Sequence, residues 1–323
     1  MDLYLSNSDY SQSGLAHKEG PLAPSSVFRD YDIRGLANSE ITNEFAMSLG
    51  VALCELALSQ GQQMFFVGRD VRLSSPSLTE ALCFGLKAAG CDVVNLGEVT
   101  TPIVNFAIEH DPIRKSGVMV TASHNPAAYN GFKIILDGEV ISGQQLQQLK
   151  SALRSNDFSP EASAPQITKG FISQYCQHIV SDSSIDRSFK IVIDAGNSVA
   201  GPIAVDLFKR LGCAVEPLYC DVDGSFPNHE PNPSDEKNLQ DLIAKVASTG
   251  SDLGFAYDGD GDRLVVISGD GAIIWPDKLM MIFARDLLAK MPGGDIVFDV
   301  KSSMRLKELV IQCGGLPPTS KTV

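Results

Sequence analysis

What most constrains this chain is a unit that occurs three times. Its copies are MFFVGRDVRLSSPSLTEALCFGLKAAGCDVVNLG, FKIVIDAGNSVAGPIAVDLFKRLGCAVEPLY and DIVFDVKSSMRLKELVIQCGGLPP. Each opens with a β-rich apolar run ending at an aspartate: Asp70, Asp194 or Asp299. Small polar residues follow, then an amphipathic helix that closes at Gly90, Gly212 or Gly314. In the first two copies another β-rich run comes after the glycine, and a strand–helix–strand unit builds a parallel sheet. The aspartate spacing implies three α/β domains of roughly 100–120 residues each. The chain, at 323 residues, exceeds what one core supports.

Any two strand–helix units look alike at this level. The first two copies, however, also agree in what comes next. One continues into SGVMVTASHNPAAYNGFKIIL and the other into SDLGFAYDGDGDRLVVIS. Both read as a buried strand, a short polar loop and a second strand. Ligand groups gather beyond the carboxyl ends of strands in open α/β sheets, so both loops are expected at the mouth of a cleft. The third copy stops nine residues after Gly314, and its equivalent loop is expected to be missing from this chain. The fold class is therefore α/β: repeated α/β/α three-layer domains with mixed, mostly parallel sheets. Residues 26–155 form a first domain with the serine loop and 165–269 a second with the acidic loop. Residues 270–323 make a partial third, after a flexible polar extension at 1–25.

In DGDGDR, residues 258–263, three carboxylates alternate with glycines. Alternate side chains of an extended segment point the same way, and Gly259 and Gly261 allow a tight curl. Carboxylates held that close repel, and a cation is the natural compensation. Hard oxygen donors select Mg²⁺, Mn²⁺ or Ca²⁺ over zinc. An EF-hand would need Gly and Glu where Arg263 and Gly269 stand. Few protein ligands and a following Arg suit Mg²⁺ completed by a phosphate. The plain alternative is a solvated acidic turn.

In TASHNP, residues 121–126, Ser123 stands beside His124 and Asn125. Adjacent Ser and His point apart on a strand and no nucleophile elbow surrounds them, so a nucleophile and an ordinary turn both fit. A phosphate on Ser123 would complete the metal's oxygen shell and link the two loops. Arg34, Lys133 and Arg263 lie beside the loops as candidate phosphate cations, while Arg69 and Arg72 read as braces of the first sheet. No Walker loop and no GxGxxG occurs.

Composition narrows the class further. The net charge, 26 − 39 = −13, argues against a nucleic-acid binder. The N-terminus lacks the pattern of a signal peptide, and no apolar run approaches the roughly 18 residues of a membrane span. A cytoplasmic enzyme or binding protein is expected. The seven cysteines (54, 83, 91, 176, 213, 220 and 313) show no CxxC spacing and read as reduced core thiols.

Together FRDYDIRG, VGRD, TASHNP, YNGFK, EPLYCDVDGSFPNHEPNP and DGDGDR resemble the α-D-phosphohexomutases, most closely the bacterial phosphomannomutase/phosphoglucomutases. The resemblance runs from about Ser26 to Lys321. TASHNP and DGDGDR in this order are what make it specific. It implies that Ser123 is a phosphoserine and that Asp258, Asp260 and Asp262 hold one Mg²⁺ with its phosphate. Arg34 and Lys133 would act in catalysis. Tyr31, His124, Asn125, Arg263 and Lys321 would contact substrate. The implied reaction moves phosphate from Ser123 to a hexose phosphate and back, through a sugar bisphosphate intermediate that also serves as activator. No nucleic acid, membrane or obligate protein partner is implied. Members of the family have four domains. The third carries a GE-x-SGH type motif and the fourth an Arg/Ser/Thr-rich clamp, and neither motif occurs here. Lys321 and Thr322 match the start of a KTGH segment, but Val323 stands where the family has Gly. The expectation is a chain ending within its third domain, with no fourth and with little or no turnover of its own. A metal-dependent sugar phosphatase and a non-catalytic sugar-phosphate binder are the alternatives.

Overall fold

Each of the first two repeats folds as a sheet covered on both faces. The computed structural model describes residues 24–113, 115–154 and 165–320. Most of the expected N-terminal extension, and Lys321, fall outside them.

The first sheet contains β1 (Ile33–Leu36), β2 (Met64–Arg69), β3 (Asp92–Glu98), β4 (Gly117–Val120), β5 (Tyr129–Leu136) and β6 (Glu139–Val140), in the order β1-β5-β4-β2-β3 with β6 on β5. Strand β2 runs parallel to β3 and β4, and β5 is antiparallel to β4 and β1. Side chains alternate across β2. Phe65 and Val67 join Leu49, Leu53, Leu82 and Leu86 of helices α1 (Asn43–Ser59) and α2 (Ser75–Ala88). Phe66 turns to the other face, onto Ile103 and Val104 of α3 (Thr101–His110). Helix α4 (Gly143–Ala152) completes the first layer through Leu146 and Leu149. Proline at the first or second helical position starts α2 and α3, and the Thr42 hydroxyl caps α1 by accepting from Phe45 N at 3.1 Å.

The second unit repeats this plan. Helix α5 (Phe171–Asp182) leads into β7 (Lys190–Asp194), α6 (Ala200–Arg210), β8 (Ala214–Leu218), α7 (Gln240–Thr249), β9 (Leu253–Tyr257), β10 (Leu264–Ser268) and β11 (Ile273–Ile274). The sheet order is β11-β10-β9-β7-β8, with β7 parallel to β8 and β9 and with β10 antiparallel to its neighbours. Thus β2, β3, β4 and β5 correspond to β7, β8, β9 and β10. Each sheet has one reversed strand, β5 or β10, and that strand lies inside the sheet. The expected mostly parallel sheet holds for strand direction, while the ladders flanking the reversed strand are antiparallel.

A third unit holds α8 (Pro276–Lys290), β12 (Phe298–Asp299), α9 (Met304–Gln312) and β13 (Thr319–Ser320), with β12 and β13 parallel around Leu288, Leu306 and Val310. The three repeat aspartates make the same turn. Asp70 Oδ1 accepts from Arg72 N at 3.1 Å, Asp194 Oδ1 from Gly196 N at 2.9 Å and Asp299 Oδ1 from Lys301 N at 2.7 Å. The repeat glycines share a left-handed backbone, with φ of 101° at Gly90, 86° at Gly212 and 77° at Gly314.

The expectation of reduced thiols fails for one pair. Cys54 in α1 and Cys91 after α2 form a disulfide, with Cα atoms 5.8 Å apart. The close packing of α1 on α2 brings together residues 37 apart in sequence, and no spacing rule reveals such a pair. The other five cysteines are free. Among the described residues, no helix is long and apolar enough to cross a membrane.

Candidate functional site

The loops after β4 and β9 leave the same end of their sheets and meet. Ser123 has φ of +51°, a left-handed conformation uncommon for a residue with a Cβ. That backbone turns its hydroxyl across to the second unit, where it donates to Asp258 Oδ2 at 2.7 Å. Both residues are fully buried. Gly259 is the point of closest approach. A Cβ there would stand 2.3 Å from the Ser123 carbonyl oxygen, so only glycine lets the two backbones touch.

The three aspartates converge. One carboxylate oxygen from each of Asp258, Asp260 and Asp262 lies within 4.8 Å of the others. Asp258 Oδ1 accepts from the backbone N–H groups of Asp262 and Arg263, both at 3.1 Å, which curls the loop around its first carboxylate. Thr101, at the start of α3, donates its hydroxyl to Asp260 Oδ2 at 2.6 Å and its backbone N–H to Asp260 O at 2.9 Å. Lys133 of β5 reaches over from the first sheet to Asp260 Oδ2 at 2.5 Å and also pairs with Asp262.

This geometry sets the charges. Burial, then repulsion from Asp260 and Asp262, pushes the Asp258 carboxyl well above the usual range. Burial would also raise Asp260, but the Lys133 ammonium overrides it and holds that carboxyl low. Lys133 in turn is desolvated, yet the paired carboxylates raise it. Asp260 Oδ1 is buried without a hydrogen-bond partner among the described residues. An orphaned carboxylate oxygen inside a set of hard oxygen donors fits a divalent cation such as Mg²⁺.

A cleft of about 530 Å³ opens beside the loops, lined in part by Tyr31, Arg34, His124, Lys133, Asp262 and Arg263. Arg34 Nη1 donates to Asn125 Oδ1 at 2.7 Å, and Arg34 Nη2 pairs with Asp32. Arg263 Nη1 donates to His124 Nδ1 at 2.8 Å, which places the His124 proton on Nε2. Burial, then the Arg263 and Arg34 charges, lowers His124 to about 4, so the ring is neutral near pH 7. Tyr31, Arg34, His124, Lys133, Asp262 and Arg263 thus line the cleft, while Ser123, Asn125, Asp258 and Asp260 do not line it and contact His124, Arg34, Arg263 and Lys133 of its wall.

Several contributors were not visible in the sequence. Thr101 is one. Asp70, Thr121 and Arg72, which hold the serine loop from behind, are others. His229 is a further case. Its Nε2 meets Asp194 at 3.0 and 3.1 Å and its Nδ1 meets Glu230 O at 2.8 Å. Both partners are acceptors, so the ring needs both protons. Desolvation opposes the charge, but Asp194 and Glu230 O raise His229 above its ordinary 6.5. Because the folded value is raised, this contribution is complete below pH 6.5 and is lost as pH rises through the folded value. Urea unfolding at pH 6 and pH 9 should show a drop in stability that His229→Gln lacks. An equal drop in both proteins would refute the pairing.

The chain belongs to the phosphoglucomutase/phosphomannomutase family: the pattern of that family's alpha/beta/alpha domain I matches residues 25–160 and that of its domain II matches residues 173–271. Among curated relatives, a phosphomannomutase/phosphoglucomutase of Pseudomonas aeruginosa PAO1 is 46% identical over 309 residues, which are 95% of this chain and 66% of the relative. A phosphoglucomutase of Neisseria meningitidis serogroup B is 43% identical over 92% of this chain and 64% of its own length. The crystal structure of a phosphoglucomutase/phosphomannomutase family protein from Burkholderia thailandensis superposes with a TM-score of 0.86 at 42% identity, covering 93% of this chain and 67% of that one. The chain thus spans just under two thirds of the length of the curated relatives it matches, 66% of the Pseudomonas aeruginosa protein and 64% of the Neisseria meningitidis one.

Proposed function

We propose that this chain carries the phosphoryl-transfer centre of a phosphomannomutase/phosphoglucomutase-type isomerase acting on hexose phosphates. One observation carries the reading: the buried Ser123 hydroxyl lies 2.7 Å from a carboxylate of a three-aspartate cluster supplied by a different sheet. A phosphate on Ser123 would put about two negative charges against Asp258, an arrangement that only a cation can hold together. Ser123, Asp258, Asp260 and Asp262 are assigned to Mg²⁺. When bound, the metal neutralises charge on the phosphoryl oxygens, and transfer of this kind rests on positioning and electrostatic stabilisation.

The remaining assignments follow from placement. Asp258, with its raised affinity for protons, accepts the Ser123 hydroxyl hydrogen bond and orients its oxygen. Lys133 and Arg34 flank the centre from the first unit and supply positive charge to a transferring group. Arg263, Tyr31 and neutral His124 line the cleft where a sugar phosphate would lie, Asn125 contacts Arg34 of its wall, and Lys321 is assigned to substrate from the sequence. A sugar bisphosphate is both intermediate and activator. The reading divides the chain into a serine-bearing domain at 26–155, a carboxylate-bearing domain at 165–269 and third-domain residues at 270–323, and it places the reaction in the cytoplasm.

Intact mass spectrometry tests it. With Mg²⁺ and a hexose 1,6-bisphosphate, the protein should gain the mass of one phosphate. A protein that stays unmodified under these conditions lacks the proposed centre. The metal assignment has its own check. Free Mg²⁺ at about 100 times its Kd should stabilise the fold by about 2.7 kcal/mol, read as a rise in melting temperature that EDTA reverses. Asp260→Asn should abolish most of that rise, and an equal rise in the variant would remove Asp260 from the metal site.

A further inference from the structure

In the sequence, Arg72 reads as a brace of the first sheet, and its surroundings assign it another task. It is completely buried, and all five of its side-chain N–H donors are used. Nε donates to Asp70 Oδ2 at 2.9 Å. Nη2 donates to Ser123 O at 2.8 Å and Asn125 O at 2.7 Å, and Nη1 to Pro126 O at 2.6 Å and Tyr129 O at 3.1 Å. Four of the five acceptors are therefore backbone carbonyls of the stretch 123–129, the serine loop and the start of β5.

Asp70 completes the arrangement. Its Oδ2 also accepts from the Thr121 hydroxyl at 2.7 Å, and that hydroxyl oxygen accepts from Ser123 N at 2.8 Å. Both backbone groups of Ser123 are thus held from one carboxylate, the N–H through Thr121 and the C=O through Arg72. The second unit meets the same point twice. The Phe226 ring lies 5.2 Å from the Arg72 guanidinium carbon, and Gly259 packs on the carbonyl oxygen that Arg72 binds.

We propose that Arg72 is a positioning residue for phosphoryl transfer. Its planar fork fixes Ser123 in the left-handed conformation and sets that serine against the carboxylate loop. The proposal rests on the reading that Ser123 carries the phosphoryl group. It does not rest on charge, because a lysine would keep the charge and lose the fork. An ammonium offers three donors from one atom, which cannot span acceptors spread over seven residues.

Hydrogen exchange on Arg72→Lys separates positioning from sheet bracing. Positioning predicts exchange at least about tenfold faster in 121–130, with residues 64–69 of β2 unchanged. Phosphorylation of Ser123 should slow by at least about tenfold, while Mg²⁺ affinity of the unphosphorylated protein by calorimetry changes less than threefold, because the three carboxylates stay in place. Unchanged exchange in 121–130, or an equal rise through β2, would overturn the proposal. If wild-type protein takes up no phosphate, the functional reading fails and the exchange data still decide the role of Arg72. Should Arg72→Lys not fold, Phe226→Leu removes the ring beside the guanidinium and keeps an apolar side chain in its buried position. The same local rise in 121–130 is then expected, and its absence counts against the proposal.

Discussion

Ser123→Ala should leave a folded protein that carries no covalent phosphate and whose phosphoryl-transfer rate falls by on the order of 10³-fold or more, the scale on which loss of a nucleophile is felt. The substitution removes the hydroxyl that donates to Asp258 Oδ2 and nothing else in the serine loop, because Arg72 and Thr121 hold the backbone of residue 123. The structural cost should be small. Asp258 keeps the two backbone donors on its other oxygen. Intact mass and a coupled assay of hexose 1-phosphate conversion would measure the outcome. Phosphate release from hexose phosphates that continues undiminished in the variant would instead favour a metal-dependent phosphatase using water.

Gly259→Ala should be almost as damaging to the site although it alters no functional group. Its new methyl would stand 2.3 Å from Ser123 O, far inside van der Waals contact. The carbonyl cannot step aside without breaking its 2.8 Å hydrogen bond from Arg72 Nη2. Pro231, 3.4 Å away, limits movement on the other side. The strain should cost about 1–3 kcal/mol, the usual range for overpacking. It should also separate the serine from the carboxylates. Urea unfolding would report the first effect and the rate of Ser123 phosphorylation the second. Wild-type phosphorylation in Gly259→Ala would show that the loops do not depend on this contact.

Much of this was legible in the sequence because the signals were local and repeated. The period from Asp70 to Asp194 to Asp299 marks strand ends, and the glycines at 90, 212 and 314 mark helix ends. The alternation of Asp258, Asp260 and Asp262 predicts their convergence, which the structure shows. The hidden parts share a physical reason. Arg72 binds backbone carbonyls, and a carbonyl has no sequence signature. Thr101 reaches Asp260 from 159 residues away and looks locally like an ordinary helix start. Cys54 and Cys91 pair only because two helices pack closely. His229 lies in a proline-rich loop whose contact with Asp194 depends on the path of that loop around the sheet.

The single reversed strand in each sheet has a mechanical consequence. Each functional loop spans two neighbouring strands of its own sheet, β4 to β5 and β9 to β10, so both of its ends are pinned to one rigid frame. Neither loop can adapt much by itself. The distance between Ser123 and Asp258 then becomes a property of how one frame sits on the other. Six rigid-body coordinates, rather than a dozen backbone torsions, determine whether the centre is assembled. Small tilts where α5 packs against α3 and α6 would be felt there in full.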